Sequence, residues 1–184
     1  MTEPNRSWIG TEFRGQVTTQ AYGRGAGIEG VEIIDLSIMS DEGGDFCEVT
    51  RFTPEGTLQC KPDYRPAQIS YSLMEPGTIK AWHLHLKQDD LWFVMPAGRL
   101  VVGLLDVRSD SATYRQHMRL PLGAGRARLL VIPRGVAHGA ANLQSHSAAT
   151  LIYFTNTAFD PHDPDEHRLP WDTLGEQFWT IQPG

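Results

Sequence analysis

"PGTIKAWHLHLKQDDLWFVMPAGRLVVGLLDV", residues 76–107, decides the fold. Two apolar runs within it, "DLWFVM" (90–95) and "RLVVGLLDV" (99–107), are each of strand length and are parted by the turn signal "PAG". If 78–86 is a strand as well, the period of two puts Lys80, Trp82 and Leu84 on one face and Ala81, His83, His85 and Lys87 on the other. Similar runs continue outward in both directions: "VEIIDLSIM" (31–39), "AQISYSLM" (67–74), "ARLLVI" (127–132) and "AATLIYFT" (148–155). The 18 Gly and 12 Pro keep every segment short, and no long stretch holds a helical period. A short helix or turn region is expected only near "DPDEHRLPWDTLGEQF" (163–178). Many short strands and few helices predict an all-β sandwich or barrel. One domain over 1–184 is expected, with a partly extended N-terminal tail over 1–25.

Composition removes several function classes. With 40% hydrophobic and 21% charged residues the chain reads as an ordinary globular protein. A net charge of −6 argues against a nucleic-acid surface, while a small anionic ligand can still be held by a few local cations. No apolar run approaches the roughly 20 residues of a membrane helix, and "MTEPNRSWIG" lacks the pattern of a signal peptide. Cys47 and Cys60 alone form neither a disulfide framework nor a zinc-knuckle spacing, so a cytoplasmic location with free thiols is expected.

Four clusters can carry chemistry. The first is the pair His83 and His85, whose imidazoles, facing one interior, must be hydrogen-bonded, ionised or metal-bound. "VIPRGVAHGAAN" (131–142) brings His138 at the start of a strand after a tight turn. "LIYFTNTAFDP" (151–161) contains Tyr153 and Phe159, and "PWDTLGEQFW" (170–179) contains Asp172. On its own Asp172 serves equally well as a cap for the turn after Pro170, and Tyr153 alone carries no functional weight.

These stretches resemble known families. Gly77, His83, His85, Asp90 and Gly98 resemble the first signature motif of the cupin superfamily, and Pro133, Gly135, His138 and Asn142 resemble the second. The likeness implies a double-sheet jelly roll that holds a metal on three His and one acid. A narrower likeness covers most of the chain. "DEGGDFCE" (41–48), "QISYS" and "GTIKAWH" (within 68–83), "DVRSDSAT" (106–113), "IPRGVAHG" (132–139) and the tail from 151 to 179 are similar, in order, to the dTDP-4-dehydrorhamnose 3,5-epimerase family. That family is a cupin-type jelly roll acting without a metal or other cofactor, as a homodimer joined through N-terminal strands.

The resemblance implies an isomerase or epimerase of a nucleotide-linked 4-keto-6-deoxy-hexose. It makes His83 the base that removes the proton beside the ketone, Asp172 its orienting partner, and Tyr153 the group that returns a proton from the other face. On the substrate it places Lys80, His85, Gln68 and His138, with Phe159 stacking on the base and Glu48 and Arg108 on the nucleotide side. The departures from the family pattern are specific. Its enolate-stabilising lysine is Asp90 here, its phosphate-binding arginine is Lys80, a further arginine is Gly43, and its glutamine is His85. The related dTDP-sugar 3,4-ketoisomerases carry a stretch similar to "HLHLK" and use both histidines without a metal.

Two alternatives therefore stand beside the epimerase: a metal-dependent cupin enzyme on a small oxygenated metabolite, and a non-catalytic sugar-binding cupin. In the metal reading His83, His85, Asp90 and His138 converge on one divalent transition metal. In the acid–base reading Asp90 lies at the pocket rim, pairing with Lys87 or Arg99.

Overall fold

The computed structural model describes residues 6–19 and 27–182. Two five-stranded antiparallel sheets face each other. The first runs β1 (Glu32–Asp35), β9 (Arg128–Ile132), β6 (Asp90–Val94), β11 (Ala149–Thr155), β4 (Gln68–Met74). The second runs β12 (His167–Arg168), β5 (Ile79–Leu84), β10 (Val136–Ala141), β7 (Arg99–Asp106), β8 (His117–Gly123). A separate hairpin joins β2 (Ile38–Asp41) to β3 (Gly44–Cys47). From β4 onward the chain passes repeatedly between the two sheets, and the all-β, double-sheet jelly roll expected from the sequence is the fold.

Between the sheets lies a core of Trp92, Val94, Leu100, Val102, Leu104 and Leu130 with their neighbours. All five residues of β6 are buried, because this middle strand is covered on both sides. Its second face, with Leu91 and Phe93, packs under Leu58 and Tyr64 from the segment between β3 and β4. A strand covered on both faces has no solvent side to alternate with, which explains the unbroken apolar run. The outer face of the second sheet is covered by the C-terminal segment, where Phe178 and Trp179 meet Trp82 at ring separations of 5.3 and 5.0 Å. Gly103 lies beneath these rings; a Cβ there would come within 2.6 Å of Phe178.

Several boundaries differ from the sequence expectation. The run 31–39 divides into β1 and β2. β8 mixes polar residues with Pro121, a pattern that hides a strand, and its place at a sheet edge tolerates the missing N–H of proline. Over 163–178 the chain forms β12, turns and the start of a single 3-10 turn, Glu176–Trp179. Of the N-terminal tail over 1–25, residues 6–19 include one helical turn, α1 (Thr11–Arg14); the rest lies outside the described residues.

The second sheet carries one irregularity. β10 pairs His138 with His83 and Ala140 with Lys80, so three residues of β5 are spanned by two of β10. The extra residue is a bulge, and it shifts the faces of β5 by one. Lys80 joins His83 on the inner side, while Ala81 goes with Trp82 to the outer aromatic cluster. This corrects the regular alternation, which paired Lys80 with Trp82 and Ala81 with His83. Gly139 permits the bulge, since a Cβ on it would stand 2.4 Å from the Ala81 Cβ.

Candidate active site

A cavity of about 660 Å³ takes its walls from both sheets: Lys80, His83 and His138 from the second, Asp90, Trp92 and Tyr153 from the first. A two-residue strand closes one side. β12 pairs His167 with Leu84 and Arg168 with His83, which brings Glu166 and Arg168 to the cavity. The Asp165 carboxylate accepts main-chain N–H bonds from Leu86 (2.8 Å), Lys87 (2.7 Å) and Gln88 (3.0 Å). Burial works against its charge, but these three donors outweigh burial and hold the carboxyl below its usual range. Asp165 thereby ties the loop after β5 to the strap before β12.

His83 has Nδ1 3.7 Å from Glu166 and Nε2 3.4 Å from an Arg168 nitrogen. Burial, with Arg168 and His138 acting in the same direction and Glu166 opposing, pushes its pKa down to about 4. At neutral pH it is an uncharged imidazole able to accept a proton. Its ring stacks against that of His138 at 6.1 Å.

Asp90 is buried, away from the rim position of the acid–base reading. Gln88 Nε2 donates to Oδ1 at 2.6 Å and Trp92 Nε1 to Oδ2 at 3.0 Å. His138 Nε2 and His85 Nε2 stand 3.6 and 3.9 Å from that same Oδ2. His138 Nδ1 lies 2.9 Å from the Val136 carbonyl and His85 Nδ1 against the Asp165 carbonyl. Burial pushes the His138 pKa down, against the pull of Asp90. Lys87, one expected partner of Asp90, instead pairs with Asp163 at 2.5 Å. Of the four ligands named in the metal reading, three converge; His83 stands apart.

The other candidate residues separate cleanly. Lys80 lines the cavity and donates to Ser72 at 2.9 Å. Gln68 also lines it, and its Oε1 accepts the Phe159 N–H at 2.9 Å, which fixes Phe159 at the mouth, 58% exposed. Glu48 pairs with Arg51 on the surface, and Arg108 is held by Asp106; neither lines the cavity. Asp172 is a correction. It is exposed in the turn after Pro170 and is not part of the cavity wall. The chain there has left the cavity to bury Trp179, whose Nε1 donates to the Trp171 carbonyl at 2.9 Å. The acid facing His83 is Glu166.

Glu166, Arg168, Asp165, Gln88 and Trp92 escape the reading of the sequence. Asp90 and Trp92 carry a readable signal: positions i and i+2 share one face of a strand. The acids of "DPDEH" carry the wrong one, since they imitate the start of a helix.

The family model described as dTDP-4-dehydrorhamnose 3,5-epimerase matches residues 26–177. The chain belongs to this family. It is 43% identical over 150 residues to the spore coat polysaccharide biosynthesis protein SpsL of Bacillus subtilis, covering 80% of this chain and 94% of that one. It is 33% identical over 145 residues to the probable low-salt glycan biosynthesis epimerase Agl13 of Haloferax volcanii, covering 79% and 89%. The crystal structure of a dTDP sugar isomerase from Desulfovibrio desulfuricans superposes with a TM-score of 0.68 at 25% identity, over 84% of this chain and 91% of that one. The protein is thus a carbohydrate epimerase of the dTDP-4-dehydrorhamnose 3,5-epimerase family, and the cavity around His83 is its candidate active site. Among the described residues no helix is long and apolar enough to cross a membrane.

Proposed function

We propose that this epimerase inverts the configuration beside the ketone of a nucleotide-linked 4-keto-6-deoxy-hexose. One observation carries the reading: His83 and Tyr153 enter one cavity from opposite sheets. Epimerisation needs a base on one face of the carbon and a proton donor on the other, and two facing sheets supply that arrangement. His83, neutral at pH 7, takes the proton next to the carbonyl, and Glu166 at 3.7 Å from Nδ1 favours the imidazolium that forms. Tyr153 returns a proton from the opposite wall. Lys80 and Arg168 supply positive charge to the developing enolate and to the anionic diphosphate of the substrate. Phe159 at the mouth offers its ring to the nucleotide base, with Gln68 holding it there. His85 and His138 also line the cavity. Glu48 and Arg108 have no part in this chain's own cavity. The proton transfers use side chains alone and call for no redox or group-transfer cofactor.

The volume of about 660 Å³ suits a hexose with part of its nucleotide. The relatives' names, which speak of polysaccharide and glycan biosynthesis and of a dTDP sugar, support a sugar nucleotide as the substrate class. The same reading places the enzyme in the cytoplasm as a homodimer. The free hairpin β2–β3 with exposed Met39 and Phe46, and the edge strand β4 with exposed Ile69, Tyr71 and Leu73, support such a pairing.

The test is solvent exchange. With dTDP-4-keto-6-deoxyglucose in D2O, the enzyme should place deuterium on carbon adjacent to the ketone, followed by mass spectrometry and NMR. Tyr153→Phe should keep the exchange while slowing inversion about 10- to 100-fold. Absence of deuterium uptake from any 4-keto sugar nucleotide would sink the reading.

A further inference from the structure

We propose that His85, Asp90 and His138 bind one divalent transition-metal ion at the point where they converge, with a coordination position open to the cavity. The main chain fixes where the protons sit. A main-chain carbonyl only accepts hydrogen bonds, so the His85 Nδ1 against the Asp165 carbonyl and the His138 Nδ1 against the Val136 carbonyl each carry the ring's proton. In the neutral form of each ring, Nε2 is then the nitrogen that offers a lone pair. Both Nε2 atoms face Asp90 Oδ2 at 3.9 and 3.6 Å, beyond hydrogen-bond length. Three atoms able to ligate a metal thus meet in a region where His85, Asp90 and His138 are 5%, 4% and 2% exposed.

Among the described residues no Lys or Arg pairs with Asp90, whose remaining bonds come from the neutral donors Gln88 and Trp92. A buried carboxylate calls for a compensating positive charge. The donors lie within 4.8 Å of one another. Ligands held about 2.0–2.2 Å from an ion in a tetrahedron are about 3.3–3.6 Å apart, so a modest contraction of the three donors completes the site. Two imidazoles and one carboxylate suit Zn(II), Fe(II), Ni(II) or Co(II). The surroundings are those of a metal centre, with each ligand oriented by a second bond of its own: Asp165 and Val136 carbonyls on the histidines, Trp92 and Gln88 on the carboxylate. All three ligands line the cavity, which leaves the fourth position facing any molecule bound there. His83 is no ligand. Its nitrogens face Glu166 and Arg168, so it stays free to move protons while the ion is held beside it.

The site is tested by binding alone, so its failure leaves the substrate reading untouched and the reverse holds too. Protein stripped with a chelator and titrated with Co(II) should take up one ion per chain, with visible ligand-field absorption of a four- or five-coordinate centre. Its proton NMR spectrum should show two strongly shifted exchangeable N–H signals, one from each ligating histidine. Trp92→Phe should weaken Co(II) binding about 10-fold or more by freeing the carboxylate, Asp90→Asn should weaken it further, and His83→Asn should leave it unchanged. If Asp90→Asn does not fold, the two shifted signals of the unaltered protein decide the same point. No Co(II) uptake overturns the proposal. So do a third shifted N–H signal, loss of the ion in His83→Asn, or full affinity in Trp92→Phe.

Discussion

Asp90 and Asp106 are both buried carboxylates at the ends of strands in the same sandwich, and the fold treats them in opposite ways. Asp106 is fully saturated. Arg108 donates from Nε and from a terminal nitrogen, each at 2.8 Å, Ser111 and Thr113 hydroxyls donate at 2.6 Å, and the Arg108 N–H adds a further bond at 3.1 Å. Burial raises its carboxyl, but these donors more than reverse that and hold it well below the usual carboxylate range. Asp90 receives two neutral donors and faces the Nε2 atoms of two imidazoles. One acid has its charge answered by the fold and knits the turn after β7. The other has no Lys or Arg paired with it among the described residues. Saturation marks a structural carboxylate, and an unanswered charge beside a cavity marks a functional one.

That contrast separates chemistry from stability, and substitutions can break the separation. The largest effect is expected from His83→Asn, which should lower kcat by about 10³-fold or more while the melting temperature stays put, measured by turnover and thermal unfolding. Loss of stability without loss of rate would reverse its role. Asp106→Ala should act the other way, removing about 3 kcal/mol of stability in urea unfolding because Arg108 keeps its charge without its partner, with kcat unchanged in the folded fraction.

The pH dependence of that second effect has a definite sign. The folded pKa of Asp106 lies below its unfolded value near 3.9, so its contribution is complete above about pH 4 and is lost as the pH falls toward the folded value. The gap between Asp106→Ala and the unaltered protein should be constant from about pH 8 to 5 and narrow below about 4. A smaller effect belongs to Glu166→Gln. Its carboxylate faces His83 from a half-exposed position at 3.7 Å, so kcat should fall about 10-fold with KM nearly unchanged. Asp172→Asn, in the same kinetic assay, should keep the rate of the unaltered enzyme, which would sharpen the assignment of the orienting acid to the strap.

Much of the fold is legible because the strands that carry it are either buried on both faces or bounded by strong turns. "DLWFVM" and "RLVVGLLDV" form β6 and β7 within a residue at each boundary. The parts that escape do so for local reasons. The face of Lys80 cannot be read because a bulge leaves no mark in a pattern of period two; only the pairing with β10 reveals it. Asp172 and Glu166 lie in one acid-rich stretch, and which of them reaches β5 depends on the β12 pairing and on the burial of Trp179. The histidines are readable as a pair, but their tautomers are not, since these rest on carbonyls of Asp165 and Val136 that only the folded chain brings into place.

The β12 strap also sets a schedule. Proteins are made from the N-terminus, and residues 165–168 leave the ribosome after every other strand of the two sheets they complete. A nascent chain that ends at β11 lacks the acid and the arginine that flank His83, and the clasp that holds the loop after β5. Every other strand of the sandwich is therefore made before the reactive centre is complete, and proton abstraction waits for this strap to dock.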